Sequence, residues 1–116
     1  MDGFPAVAKI ALPALRKFRQ EGRPDNEAYI QTLLLLLSQV EDTNILSRSD
    51  QATLEQAQKE AGAVLDKGGA FTREGLQAVW DLNESFVKKN ISPGGCADLL
   101  ILAIFLEKME GLTADR

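Results

Sequence analysis

Apolar residues recur along the chain at helical spacings of three and four, and no segment reads as a strand. Phe4–Ile10 is expected to form a first short helix; Pro13 then interrupts it or starts a second one that runs to about Glu21. Gly22-Arg23-Pro24 reads as a turn, because glycine can stop a helix and Pro24 keeps the residue before it from continuing one. Asp25 reads as the N-cap of the next helix, with Glu27 favourable near the positive dipole end. That helix carries Ile30, Leu33–Leu37 and Val40. Five consecutive leucines leave no polar face, so it is expected at the centre of a bundle.

The stretch Glu41–Asp50 is polar, has little helical periodicity and separates two strong helices. Ser49 or Asp50 can cap the second of these, in which Leu54, Ala57, Ala61, Val64 and Leu65 share one face. Lys67 suits its last turn and Gly68-Gly69 ends it. Thr72 is the expected cap of a further helix, with a buried stripe of Leu76, Val79, Trp80, Phe86 and Val87, basic Lys88 and Lys89 in its last turn, and Asn90 as a left-handed stop. Ser92-Pro93 reads as N-cap and first helical residue of a last helix that runs to about Glu110 and ends at Gly111. Its core, Leu99–Leu106, is again apolar on all sides, which predicts a second buried helix. The fold class is therefore all-α: one domain over residues 1–116, a compact helical bundle of about five to six helices with no internal repeat. Two wholly apolar helices are many for so short a chain. Either they pack against each other, or part of their surface is covered by another chain or a missing domain.

Composition narrows the chemistry. Thirteen basic against seventeen acidic residues give a net charge of −4, which argues against a nucleic-acid partner. The chain has no histidine, which excludes Ser-His-Asp and Cys-His catalysis and His zinc ligands within it. Its single cysteine excludes an internal disulfide and fits a reducing compartment. The N-terminus does not read as a signal peptide, and no apolar run is long enough to span a membrane, so a cytoplasmic location is expected.

Two segments can carry chemistry. The first is Asp42-Thr43-Asn44 with Arg48, placed directly after the leucine helix so that its polar side chains project from the end of the core. Its oxygens suit Mg²⁺, and the Arg48 guanidinium suits phosphate. The alternative is that Asp42 and Asn44 make turn hydrogen bonds and Arg48 is a surface charge. The second is Ser92-Pro93-Gly94-Gly95-Cys96-Ala97-Asp98. Two glycines in a first helical turn cost about 1 kcal/mol each relative to alanine, so something should offset them. Their missing side chains would let a ligand or another backbone reach the N–H groups of the helix start, which form an anion site. Asp98, about one turn further in, could bind a metal or accept a proton. Close helix packing over the glycines, with Asp98 helping to satisfy N–H groups, explains the string equally well. Cys96 without a histidine partner reads as a small buried filler, and Trp80 and Phe86 read as core.

Asp42-Thr43-Asn44-x-x-x-Arg48 and Ser92-Pro93-Gly94-Gly95-Cys96-Ala97-Asp98-Leu99-Leu100 together resemble the C-terminal part of the triphosphoribosyl-dephospho-CoA synthase family. Gly3-Phe4-Pro5 and Leu12-Pro13-Ala14-Leu15 are similar to that family in the same order, so the resemblance covers nearly the whole chain. It implies an enzyme that joins ATP to 3′-dephospho-CoA for the prosthetic group of citrate lyase or malonate decarboxylase. The ribose 2′-hydroxyl of dephospho-CoA attacks the anomeric carbon of the ATP ribose, adenine leaves, and the triphosphate stays on the product. By the same resemblance, Asp42 and Asp98 would be Mg²⁺ ligands or the base. Asn44, Arg48 and Ser92 would hold substrate, and the Gly94-Gly95 helix start would face a phosphate.

Two features depart from the family pattern. Ser49-Asp50 stands where members usually have two glycines, which adds a charge that would repel phosphate. Members are also much longer, with N-terminal motifs that this chain does not contain. The chain is therefore expected to represent the C-terminal part of such a synthase, to lack turnover alone, and to cover its leucine-rich helices by forming a homo-oligomer or by meeting the missing N-terminal half. The rival expectation is a non-catalytic helical interaction module that keeps the family scaffold.

Overall fold

Pro13 has no N–H to give, and its ring presses on the carbonyl four residues back. In the computed structural model, which describes residues 3–114 and the side chains of residues 5–42 and 45–107 among them, one widened turn absorbs that conflict. Helix α1 (Gly3–Ala6) runs through a π-helical turn at Val7–Ala11 into α2 (Leu12–Gln20), with helical dihedrals at Ala6, Ala11 and Leu12. The Leu12 N–H reaches back five residues to the Val7 carbonyl. The proline thus widens the first helix and does not break it. Gly22, at φ 75°, closes the end of α2 with the crossed bonds Gly22 N–H to Arg19 O and Arg23 N–H to Phe18 O, both 3.0 Å.

The other helices are α3 (Asp25–Gln39), α4 (Thr43–Arg48), α5 (Gln51–Asp66), α6 (Arg73–Lys89) and α7 (Gly94–Ala114), with a 3₁₀ turn at Gly69–Phe71 before α6. Counting the widened first helix once gives six helices among the described residues, and no strand. Helix α3 is central, as its leucines predict: it packs on α2, α5, α7, the π turn and the 3₁₀ turn, and buries Ala28, Thr32, Leu34, Leu36 and Leu37. Leu54, Ala57, Ala61 and Val64 of the predicted α5 face are buried and Leu65 is half-buried, and Asp50, Thr72 and Asn90 act as expected at their helix ends.

Several expectations need correcting. Pro24, not Asp25, is the N-cap of α3. The fixed φ of Pro24 supplies the non-helical corner, and Asp25 becomes the first helical residue, 3.6 Å from Arg19. The polar stretch 41–50 is not irregular, because it contains α4. Gly111 does not stop α7, since one glycine inside a helix costs only about 1 kcal/mol. Helix α6 buries Gly75, Ala78, Leu82 and Phe86, and it leaves Leu76, Trp80 (64% exposed) and Val87 outward. As far as Glu107, helix α7 is buried on one side only. The common cause is shape. The Cα trace spans 47 × 36 × 18 Å. A helix with side chains is about 10 Å across, so the protein is roughly two helices thick and cannot surround each helix.

One ion pair ties the first helix to the last. Arg19 donates through Nε and Nη2 to the two carboxylate oxygens of Glu107, at 2.7 and 2.8 Å. Glu107 is only 7% exposed, and its hydrogen bonds raise the Arg19 guanidinium above its ordinary pKa. Arg19→Ala would strand that carboxylate. It is expected to lower stability by about 2 kcal/mol in urea unfolding, with Arg19→Lys recovering only part because the two-pronged geometry is lost.

Candidate functional site

The chain leaves α3 extended at Val40 and turns into α4 two residues after Glu41. At that corner stands Asp42. Its carbonyl accepts the Leu46 N–H at 3.0 Å, and its Oδ1 accepts the Ile45 N–H at 3.1 Å, the bonding of an N-cap. The same carboxylate also reaches the start of α7. Oδ1 accepts the Gly95 N–H at 3.2 Å and Oδ2 accepts the Cys96 N–H at 2.8 Å, across 53 and 54 residues of chain. Asp42 is 1% exposed. A carboxylate where two helix starts converge is held by both positive dipole ends and by N–H groups that would otherwise lack partners.

This geometry brings the two segments singled out in the sequence to one place, by a contact that sequence spacing could not give. It also corrects the expected direction of Asp42, which turns inward onto backbone and does not project from the end of the core. The glycines serve the same contact: Gly94 and Gly95 are half-buried, and the anion that meets the helix start is a carboxylate of the chain itself. That carboxylate takes the N–H groups of Gly95 and Cys96. Cys96 is a buried filler, as expected, and burial together with the adjacent Asp42 pushes its thiol pKa up, so it stays protonated.

The remaining site residues lie around this junction. Asp98, one turn into α7, is exposed, as are Ser92 and Arg48, the latter in the last turn of α4. Helices α4 and α7 pack together. Asn44 belongs to α4, but its side chain lies outside the described residues. Asp50 caps α5 by accepting the Thr53 N–H at 2.8 Å, and that bond holds its carboxyl below the ordinary carboxylate range.

Asp42 is 1% exposed and its oxygens accept backbone N–H groups, so a cation there would have to share them. Asp98 is the exposed carboxylate of the two, and Mg²⁺ is commonly held by one or two carboxylates with substrate phosphates completing the shell. No group of three His, Cys, Asp or Glu forms a metal cage among the described residues. A groove of about 300 Å³ that sequence reading did not anticipate lies beside the start of α5, lined by Asp50, Thr53, Gln56, Glu60, Lys89 and Ile91 among others. Lys89 faces this groove, and Glu60 keeps a buried Oε1 without a hydrogen-bond partner in it. No described helix is long and apolar enough to cross a membrane.

Comparison with known proteins agrees with the resemblance. The family model for ATP:dephospho-CoA triphosphoribosyl transferase matches residues 1–116. The chain is 38% identical over 109 residues to a Pseudomonas fluorescens protein named "Probable 2-(5''-triphosphoribosyl)-3'-dephosphocoenzyme-A synthase", which covers 94% of this chain and 38% of that protein. A protein of the same name from Azotobacter vinelandii is 40% identical over 108 residues, 93% of this chain and 37% of its own length. The "2-(5''-triphosphoribosyl)-3'-dephosphocoenzyme-A synthase" of Escherichia fergusonii is 38% identical over 105 residues, 90% and 35% of the two chains. The chain thus spans less than two fifths of the length of these curated relatives. No solved structure matches it at a significant level.

Proposed function

The chain belongs to the ATP:dephospho-CoA triphosphoribosyl transferase family, and from that footing we propose that it supplies part of the site at which ATP and 3′-dephospho-CoA are joined with release of adenine. The observation that carries this reading is the Asp42 junction, which sets the Asp-Thr-Asn-x-x-x-Arg segment against the Ser-Pro-Gly-Gly-Cys-Ala-Asp segment. A site for two nucleotides must gather residues from distant parts of a chain, and a buried carboxylate that fixes two helix starts does so rigidly.

Roles divide by exposure. Asp42 is the positioning residue. Asp98 faces solvent and is the carboxylate able to accept the proton of the attacking hydroxyl or to hold Mg²⁺. Bound there, the ion would neutralise charge on the triphosphate. Arg48 offers a planar set of donors for phosphate, Asn44 and Ser92 offer polar contacts to substrate, and Gly94 and Gly95 let a substrate approach the backbone closely. The work of these groups is to orient the 2′-hydroxyl against the anomeric carbon and to steady the phosphates while adenine departs.

Calorimetric titration with ATP and with 3′-dephospho-CoA, each with and without Mg²⁺, tests the reading. The folded chain is expected to bind at least one of them weakly and better with Mg²⁺. Asp98→Asn is expected to weaken that binding about tenfold, roughly 1.4 kcal/mol, without moving the melting temperature. Binding of neither nucleotide by a folded chain, or a change in melting temperature alone, would overturn it.

A further inference from the structure

Asp98 does not stand alone on its side of α7. Asp98, Ile101, Leu102 and Phe105 follow one another at i, i+3, i+4 and i+7, the spacing of a single helical stripe. All four are exposed, Ile101 at 64% and Phe105 at 60%, whereas Leu99, Leu100 and Ala103 on the other side are buried. The bare apolar stripe therefore ends on the candidate catalytic carboxylate.

We propose that this stripe is the seat of an amphipathic helix from the part of the synthase that the relatives possess and this chain does not match, and that the seated helix roofs Asp98. The proposal rests on the family reading above. Three observations favour that occupant. The relatives hold more than three fifths of their length beyond the matched segment, so the covering chain exists in them. The i, i+3, i+4, i+7 ridge is the form that a helix packs against. A second copy of this chain fits worse. It would bring the same net charge of −4 to the seat, which a covering segment of different sequence need not do. Roofing by a different segment instead removes water from one side of Asp98, which strengthens its hold on a hydroxyl proton or a cation.

The test is thiol labelling of Phe105→Cys in two settings: the isolated chain, and a chimera in which this chain replaces the matched 108 residues of the Azotobacter vinelandii relative. Cys96 is buried and gives little background. Lys59→Cys, on the exposed side of α5, is the control. The Phe105→Cys thiol is expected to react about tenfold or more slowly in the chimera, while the control reacts alike in both. Equal labelling of Phe105→Cys in the two settings would overturn the proposal. So would an isolated chain that sediments as a dimer with that thiol already protected, because a second copy would then be the occupant. If the chimera does not fold, the same comparison is made in the Azotobacter protein, at its residue aligned with Phe105, between the whole protein and its matched segment. Labelling needs no nucleotide, so failure of the functional reading in the titration and failure of the docking proposal are read separately.

Discussion

Asp42→Ala is expected to destabilise the protein by about 4 kcal/mol, more than any other single side-chain truncation considered. The carboxylate accepts the backbone N–H groups of Ile45, Gly95 and Cys96, and its removal takes the cap from α4 and the anion from the start of α7 together. A lost N-cap costs about 1 kcal/mol, and each buried N–H left without a partner costs about 1–3 kcal/mol. For a domain of this size the sum corresponds to a fall in melting temperature of roughly 15–20 °C. Asp42→Asn keeps the shape and one acceptor oxygen, so it should lose about half as much. Urea unfolding of the two variants measures both. An alanine variant within 1 kcal/mol of the parent would mean that Asp42 does not hold the two helix starts, and the junction would lose its place as the organiser of the site. If the functional reading is right, loss of nucleotide binding in Asp42 variants should track loss of folded protein. In Asp98→Asn, by contrast, binding should fall while folding stays intact.

What could be read from the sequence divides along the range of the interaction. Asp50, Thr72 and Asn90 cap their helices through bonds within four residues of themselves, so their roles are visible in the residue types alone. The face of α5 is equally legible, because its small and branched residues admit one reading of the period. Asp42 illustrates the opposite case. Its segment and the glycine string are each conspicuous, and two glycines at a helix start do signal that something must come close. The partner is a carboxylate 53 residues away, and no local pattern carries that distance. Helix α6 misleads for another reason. It has two apolar stripes, one of large residues and one built from Gly75, Ala78, Leu82 and Phe86. Ranking by size places Phe86 correctly but groups it with Leu76, Trp80 and Val87, which are exposed, and it passes over Gly75 and Ala78, which allow α6 to lie close to the 3₁₀ turn and α5. In α7, apolarity on every side predicts burial on every side, but burial also needs neighbours, and a layer 18 Å thick does not provide them. The exposed leftovers, Ile101, Leu102 and Phe105, are then informative because they contradict their own composition.

Gly75→Ala and Gly62→Ala are expected to have opposite signs, although each puts a methyl group into a helix. At Gly75 a Cβ would fall onto the backbone carbonyl of Gly69, far inside contact distance. The turn that carries this carbonyl cannot retreat cheaply. Gly69 is itself left-handed at φ 55°, the Gln31 side chain fills the space where its own Cβ would be, and Gln31 Oε1 accepts the Ala70 N–H at 2.8 Å. Moving the turn would break that bond and pull the start of α6 from Thr72, whose Oγ1 accepts the Gly75 N–H at 2.9 Å. The helix propensity gained, about 1 kcal/mol, is outweighed by overpacking and the broken bonds, for a net loss of about 3 kcal/mol. Gly62 lies in the interior of α5 with nothing within 4 Å of a built Cβ. Alanine there removes unfolded-state freedom at no steric cost and should stabilise by about 0.5–1 kcal/mol. Parallel urea denaturation of the two variants separates the causes. If both substitutions stabilise, helix propensity governs both sites and the close approach of α6 to the 3₁₀ turn is wrong. If both destabilise, the space around α5 at Gly62 is already filled. Only opposite signs agree with an α6 whose small residues are chosen for contact, and that same choice leaves Leu76, Trp80 and Val87 facing outward.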